Sequence, residues 1–347
     1  MNGYQRIKAA FAGEKTDRVP MMLHNFMPAA REYGITMRQY RESGVNIADS
    51  HIAMAQKYEL DGMWNDIDTC ILADVIGVPI DYPEDMPARV TGHIPGGIDG
   101  AIDAMDPDKV AKNERVKISA ESIYQLRKKI GNELFIRASC DQMAFSLSAL
   151  AVGMEELMVN LKNPALEEKL MTLLDRATDV HLEFHKILYQ AGADCTSFGD
   201  SSCGPDLISP KMYQKFAKPF HVKLSKALKT LQIPVVCHIC GNLDKIMEDV
   251  AEVGFDGIEF DYKSDVQKAR DTFYGKALSF GPIDPSGVFC LGTPQMVRSE
   301  TQRVLDVYGG KGIVIGAGCA LPPDTPEENI RAFTETVKAY AIDWRQP

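Results

Sequence analysis

Eight short apolar segments recur along these 347 residues, each running into a polar turn. They are Met21-Met22-Leu23, Gly62 to Asp66, Leu134 to Ala138, Cys195 to Phe198, Val235 to Cys240, Gly257 to Asp261, Leu278 to Gly281 and Gly312 to Gly316. Short apolar runs bounded by turn residues read as buried strands. Strands that alternate with helical or looped crossovers build a parallel sheet, because each crossover returns the chain to the same end. The economical architecture is α/β: a single (β/α)8 TIM-type barrel, with one domain spanning 1–347. No linker composition or short repeat divides it.

Helical patterning is expected at Tyr4 to Ala12, outside the core, then at Thr36 to Tyr58, Ser119 to Ile130 and Met154 to Gln190. Further helices are expected at Pro210 to Leu231, Asp244 to Val253 and Pro326 to Ala341. Asp324 or Thr325 is the expected cap of the last, with Glu327 and Glu328 in its first turn, where carboxylates meet the positive end of the helix dipole. Between Ala73 and Arg115 the chain is rich in Pro, Gly and Asp, which predicts a loop-rich excursion over one face after the second strand.

The formal charge of −10 argues against a nucleic-acid partner, since phosphate binding needs clustered Lys and Arg. No apolar run approaches the ~18 residues that span a bilayer. Met1 to Gly13 is mixed and amphipathic rather than a secretion signal, so no membrane partner and a cytoplasmic location are expected. The eight cysteines are scattered, unlike the dense framework of a small secreted domain, and are expected as free thiols or ligands.

Polar or metal-capable residues follow nearly every expected strand: His24, Asp66, Cys140 or Asp141, Asp200, His238 with Cys240, Glu259 or Asp261, Asp284 and Cys319. In a barrel these open onto the C-terminal face, where chemistry is built. Equally, strand ends meet loops, and loops are polar. The fifth segment is the most specific. If its strand runs through Cys240, a period of two puts His238 and Cys240 on one face, with Cys237 and Ile239 on the other. Cys319, at the end of the eighth strand, is a third candidate ligand, and three protein ligands with an open position are the pattern of a catalytic zinc. Two other readings share these residues. Buried cysteines act as small hydrophobes. Cys237 and Cys240 have the spacing of a redox pair, although an extended strand turns them to opposite sides.

His238-Ile239-Cys240-Gly241-Asn242, with Gly316-Ala317-Gly318-Cys319 and Pro322-Pro323-Asp324-Thr325-Pro326-Glu327-Glu328-Asn329, resembles the zinc motifs of the methylcobalamin:coenzyme M methyltransferases. Those enzymes are a branch of the uroporphyrinogen decarboxylase superfamily of barrels. Trp64-Asn65-Asp66-Ile67, Asp200-Ser201-Ser202-Cys203-Gly204 and Gly281-Pro282-Ile283-Asp284-Pro285 are similar to wider superfamily features. The decarboxylase itself carries Met-Arg-Gln-Ala-Gly-Arg after its first strand, to hold carboxylates. The matching stretch here is Leu23-His24-Asn25-Phe26-Met27-Pro28, with Arg31 the only nearby cation, so a polycarboxylate tetrapyrrole lacks its arginine clamp. Asp66 does match that enzyme's essential aspartate.

The resemblance implies Zn2+ on His238, Cys240 and Cys319. Glu259 or Asp261 is a candidate fourth ligand when no substrate is bound, and Asp200 and Asp66 are the catalytic candidates, hydrogen-bonding His238 or the substrate. It also implies a methyl group passing between a corrinoid, free as methylcobalamin or carried on a corrinoid protein, and a small-molecule thiol such as coenzyme M that the metal keeps deprotonated. Two further readings remain. The protein could serve the donor side, passing a methyl group from an ether, amine or thioether to cob(I)alamin. Or it could bind a corrinoid or tetrapyrrole without catalysis.

Overall fold

The computed structural model describes residues 1–344; positions 345–347 of the expected 1–347 domain lie outside the described residues. Seven parallel strands form one curled sheet in chain order: Gly62–Asn65, Phe135–Gln142, Cys195–Gly199, Val235–Ile239, Gly257–Phe260, Leu278–Ile283 and Ile313–Ala317. The first expected strand, Met21-Met22-Leu23, is shorter than the sequence suggests, with a single parallel bridge from Met21 to Ile315. Pro20 just before it has no N–H to extend the ladder. Backbone bonds nonetheless leave this segment in both directions. Met22 N donates to Ile315 O and Ile315 N to Pro20 O on one side, while Asp61 N donates to Met21 O on the other. It therefore touches both edges of the sheet.

Alternation along the strands sorts side chains into two cores. Trp64, Phe135, Cys195, Val236, Leu278, Phe280 and Val314 pack with Met22 and with Ile7 of the helix Gly3–Phe11. That helix, expected outside the core, instead buries Ile7 completely against these strand residues. Cys237, Ile239, Ile258 and Phe260 belong to the larger core beneath the surrounding helices. The same period sets Arg137, His238 and Glu259 two residues beyond Phe135, Val236 and Gly257. A polar layer thus lies on the inner apolar one. Within it Arg137 Nη2 donates to Glu259 Oε2 at 2.6 Å, and the guanidinium lies 3.5 Å from the centre of the Trp64 ring.

Caps and prolines decide where long helical stretches break. Thr36 to Tyr58 divides into Met37–Arg41 and Gly44–Tyr58, where the Ser43 hydroxyl accepts from Asn46 N. Met154 to Gln190 divides around Pro164, and Pro210 to Leu231 just ahead of Pro219. The sequence reading misses Phe26–Glu32, Ala144–Val152, Val266–Phe273 and Pro294–Tyr308. Ala144–Val152 is apolar on nearly every side, so no amphipathic period marks it. The last helix, Glu327–Ala339, starts after Pro326 with no side-chain cap; Thr325 Oγ1 donates to Pro322 O, so neither expected residue caps it. The stretch 73–115 is more ordered than a set of loops, with a hairpin of Ile80–Asp81 and Arg89–Val90, the helix Gly97–Ala104 and the 3-10 turn Pro107–Lys112. No helix among the described residues is long and apolar enough to cross a membrane.

Buried histidines set the acid limit of this fold. Burial pushes His51 down to about 4 and His181 to about 3, and burial together with His181 holds His185 well below its ordinary value. The unfolded chain protonates them near pH 6.5. Each therefore contributes stability that is full above that pH and is lost as the pH falls toward the folded value, on the order of 3 kcal/mol for His51 alone. Asp141, pushed up to about 7 by burial, works in the opposite sense over the same range. Burial also raises Asp61, Asp68 and Asp194, which add to the opposing side, but the three histidines carry the larger shifts. The urea midpoint should fall between pH 6.5 and 4, and His51→Gln, which keeps a partner for the Tyr40 hydroxyl, should blunt that fall. A flat profile in both proteins would show that these histidines are not held neutral.

Candidate metal centre

The strand Val235–Ile239 stops one residue before Cys240, which corrects the extended register expected from sequence. Gly241 causes the stop, with φ +87°, a left-handed backbone open to glycine and poor for other residues. Cys240 still turns toward His238, with Sγ 3.1 Å from Nε2. Cys319 arrives on the loop beyond Ile313–Ala317. Gly318 makes that approach possible: a Cβ there would stand 3.0 Å from Tyr262 N and 3.1 Å from Phe260 O. The loop therefore lies against the end of the strand that carries Glu259, and Gly318 N anchors it by donating to Ile283 O at 2.8 Å.

One ligand atom each from His238, Cys240 and Cys319 lies within 4.8 Å of the others. Zinc bonds of roughly 2.0–2.3 Å in tetrahedral geometry put donor atoms about 3.5 Å apart, so this donor set fits the ion. The imidazole is also oriented, with Nδ1 3.2 Å from the Glu259 carbonyl, to which it donates, leaving Nε2 toward the sulfurs. The hydrogen bond from Cys319 holds the Cys240 thiol far below its ordinary range, with help from His238. Cys319, which supplies that bond and is buried, is pushed well up. Burial opposes charge on His238, but the Cys240 thiolate outweighs it and raises the imidazole to about 9. Hydrogen bonding thus favours the charged form of Cys240 and disfavours that of Cys319, and a divalent cation would compete with protons for all three ligands.

The other expected residues are placed differently. Glu259 contributes its carbonyl to His238, while its carboxylate pairs with Arg137. It lies outside the three-ligand group. Asp261 accepts from Gly241 N and Lys263 N, shaping the turn after Cys240. Asp66 accepts from His24 Nε2 at 2.6 Å and from Ile67 N, and His24 stacks on Trp64 with ring centres 3.6 Å apart. Asp200 is 1% exposed, with Oδ1 accepting from Ser146 N and Oδ2 from His221 Nε2. Neither carboxylate bonds the His238 imidazole, because both are already filled by nearer donors. Asp141 accepts from Leu72 N and Asp284 from Ser286 N and Gly287 N, as loop-shaping groups. Cys140 is fully buried.

Sequence reasoning missed three contacts here: the Arg137–Glu259 ion pair, the His24–Asp66 pair, and Ser201 Oγ, 3.2 Å from Cys240 Sγ. A charged residue inside the apolar run Leu134 to Ala138 was the one available signal, since a buried arginine requires a partner.

A family model described as uroporphyrinogen decarboxylase (URO-D) matches residues 3–340. The chain is 32% identical over 226 residues to a methylcobamide:CoM methyltransferase MtbA of Methanosarcina acetivorans, an alignment covering 65% of this chain and 64% of that protein, just under two thirds of its length. It is 26% identical over 347 residues to a methylcobamide:CoM methyltransferase MtaA of Methanosarcina barkeri, covering 96% and 97%. Among solved structures, a methyltransferase from Methanosarcina mazei superposes with a TM-score of 0.88 over 97% of this chain and 98% of that one, at 23% identity, a likeness of fold.

Proposed function

This chain belongs to the uroporphyrinogen decarboxylase (URO-D) family, and on that premise we propose that it is a zinc-dependent methyltransferase moving a methyl group between a corrinoid and a small thiol. One observation carries the reading: an imidazole and two thiols, from two segments far apart in sequence, converge at the C-terminal end of a parallel sheet. The activity in the names of the two Methanosarcina methylcobamide:CoM relatives supports it. We read the sheet as a closed (β/α)8 barrel forming one domain, supported by the bonds of the Met21 segment to both sheet edges. Eight free cysteines agree with a cytoplasmic location.

His238, Cys240 and Cys319 would hold the ion. Bound zinc would supply the positive charge that keeps a substrate sulfur deprotonated at neutral pH. The Glu259 carbonyl fixes the imidazole tautomer, and the buried Arg137 holds Glu259 in place. Asp66 with His24, at the ends of neighbouring chain segments, remains the candidate pair for contacting substrate. Overall, the thiol loses its proton, its sulfur gains the methyl carbon, and the electron pair of the cobalt–carbon bond stays with the corrinoid, whether free or carried by a partner protein.

Decarboxylation of a tetrapyrrole is disfavoured by the first strand's end. His24 stands there, and Arg31 is an exposed residue paired with Asp324. Polycarboxylate recognition needs guanidinium forks.

With methylcobalamin and a panel of thiols that includes coenzyme M, the zinc-loaded protein should produce the cob(I)alamin spectrum and an equal amount of methylated thiol. A silent panel, combined with demethylation of methoxy compounds or methylamines onto cob(I)alamin, would place the protein on the donor side. Silence in both assays would end the methyl-transfer reading.

A further inference from the structure

We propose that Ser201 is a positioning residue that donates a hydrogen bond to the Cys240 sulfur and so sets how strongly that sulfur binds the metal; this rests on the metal reading above. The hydroxyl oxygen lies 3.2 Å from Cys240 Sγ, where the thiol can donate to it; once the sulfur is a metal-bound thiolate only the hydroxyl can donate. The sulfur's two other close partners in the site are His238 and Cys319. An ion bound among the three ligands takes over both of those contacts. Ser201 is the contact that remains.

The turn that carries Ser201 is held from both sides. On one side, Asp200 N donates to His238 O at 2.9 Å, tying the Ser201 turn to the ligand strand. The Asp200 carboxylate is clamped by Ser146 N at 2.8 Å and His221 Nε2 at 2.9 Å, and His221 Nδ1 lies 3.2 Å from the Tyr213 hydroxyl. On the other side, Ser202 N donates to Ser146 Oγ at 3.0 Å, and Cys203 N returns to Asp200 O at 3.1 Å. Asp200, Cys203 and His221 also bring possible ligand atoms within 4.8 Å of one another. Asp200 and His221 are already committed to each other, to Ser146 and to Tyr213, so this buried group serves as the frame of the turn. Gly204, at the end of the turn, passes so close that a Cβ would stand 2.7 Å from Cys240 O.

A hydroxyl donating into a thiolate draws charge from the sulfur, and hydrogen bonds to charged groups are the stronger kind. Loss of a partner that orients a metal ligand typically weakens metal binding by ~10–100-fold. The test uses the full chain loaded with Co2+ in place of zinc. Ser201→Ala should weaken Co2+ binding by ~10–100-fold in chelator competition, because the ligand loses the donor that favours thiolate over thiol and fixes its direction; in the complex that still forms, the sulfur is more electron-rich and the sulfur-to-cobalt charge-transfer band should move to longer wavelength. Ser201→Thr, which keeps the hydroxyl, should restore both. A merely structural role would leave the band where it is in wild type. An unmoved band with unchanged affinity in Ser201→Ala overturns the assignment while leaving the metal site standing. A wild-type protein that takes up no Co2+ and no Zn2+ overturns the metal reading and this assignment with it.

Discussion

Cys319→Ala should take the purified protein from about one zinc per chain to nearly none. Three-ligand sites lose several kcal/mol with each ligand, given ~10–16 kcal/mol for complete structural zinc sites, which corresponds to a loss of affinity of at least ~10³-fold. The fold should survive, because backbone bonds hold the loop independently of the thiol: Gly318 N to Ile283 O and Leu321 N to His24 O, both at 2.8 Å. The matched control is Cys203→Ala. That cysteine belongs to the buried group around Asp200 and His221, and its loss should leave zinc content unchanged. Elemental analysis and chelator competition on protein purified without chelator read both variants. Full zinc in Cys319→Ala would remove the last strand from the site, and equal losses in both variants would mean that the effect is general destabilisation.

Arg137→Met should be the most destabilising single change near the centre, by ~3–5 kcal/mol, because it leaves the Glu259 carboxylate buried without its partner. Arg137 and Glu259 are 1% and 3% exposed, and no water can take the guanidinium's place without repacking Trp64 and Phe280, which it faces. The double variant Arg137→Met with Glu259→Met should recover most of that loss, since a buried ion pair is worth little more than well-packed apolar groups of similar volume. Urea denaturation of the single and double variants completes the cycle. A single variant as stable as wild type would show that the carboxylate finds another partner. Recovered stability accompanied by loosened zinc would separate the pair's part in aiming His238, through the Glu259 carbonyl, from its part in the fold.

Strand segments were legible because each is a short run buried on both faces, and burial leaves its mark on every residue of the run. Val235 to Ile239 and Ile313 to Ala317 fall within one or two residues of where the apolar pattern puts them. The helix Ala144–Val152 was not legible for the converse reason, since a helix buried all round has no polar face to give it a period. His238 and Cys240 were legible as a pair from two positions of spacing, although the strand ends too early for the alternation argument to be the cause of their meeting. The partners of Asp66 and Asp200 were not legible. Strand-end carboxylates look alike in sequence, and His24 and His221 claim them only after the helices and first segment have packed.

The amino-acid order by itself determined the repeating strand and helix units, the inward set of side chains that a period of two selects, and one imidazole with two thiols as candidate metal ligands. These are local properties, set by side-chain size, polarity and backbone preference over a few neighbouring residues. Only the tertiary structure decided that Cys319 reaches Cys240, that Arg137 rather than a metal takes the Glu259 carboxylate, and that Ser201 faces the Cys240 sulfur. Each depends on the curl of the sheet, which brings distant strand ends together, and on close approaches at Gly318 and Gly204 that no spacing along the chain expresses.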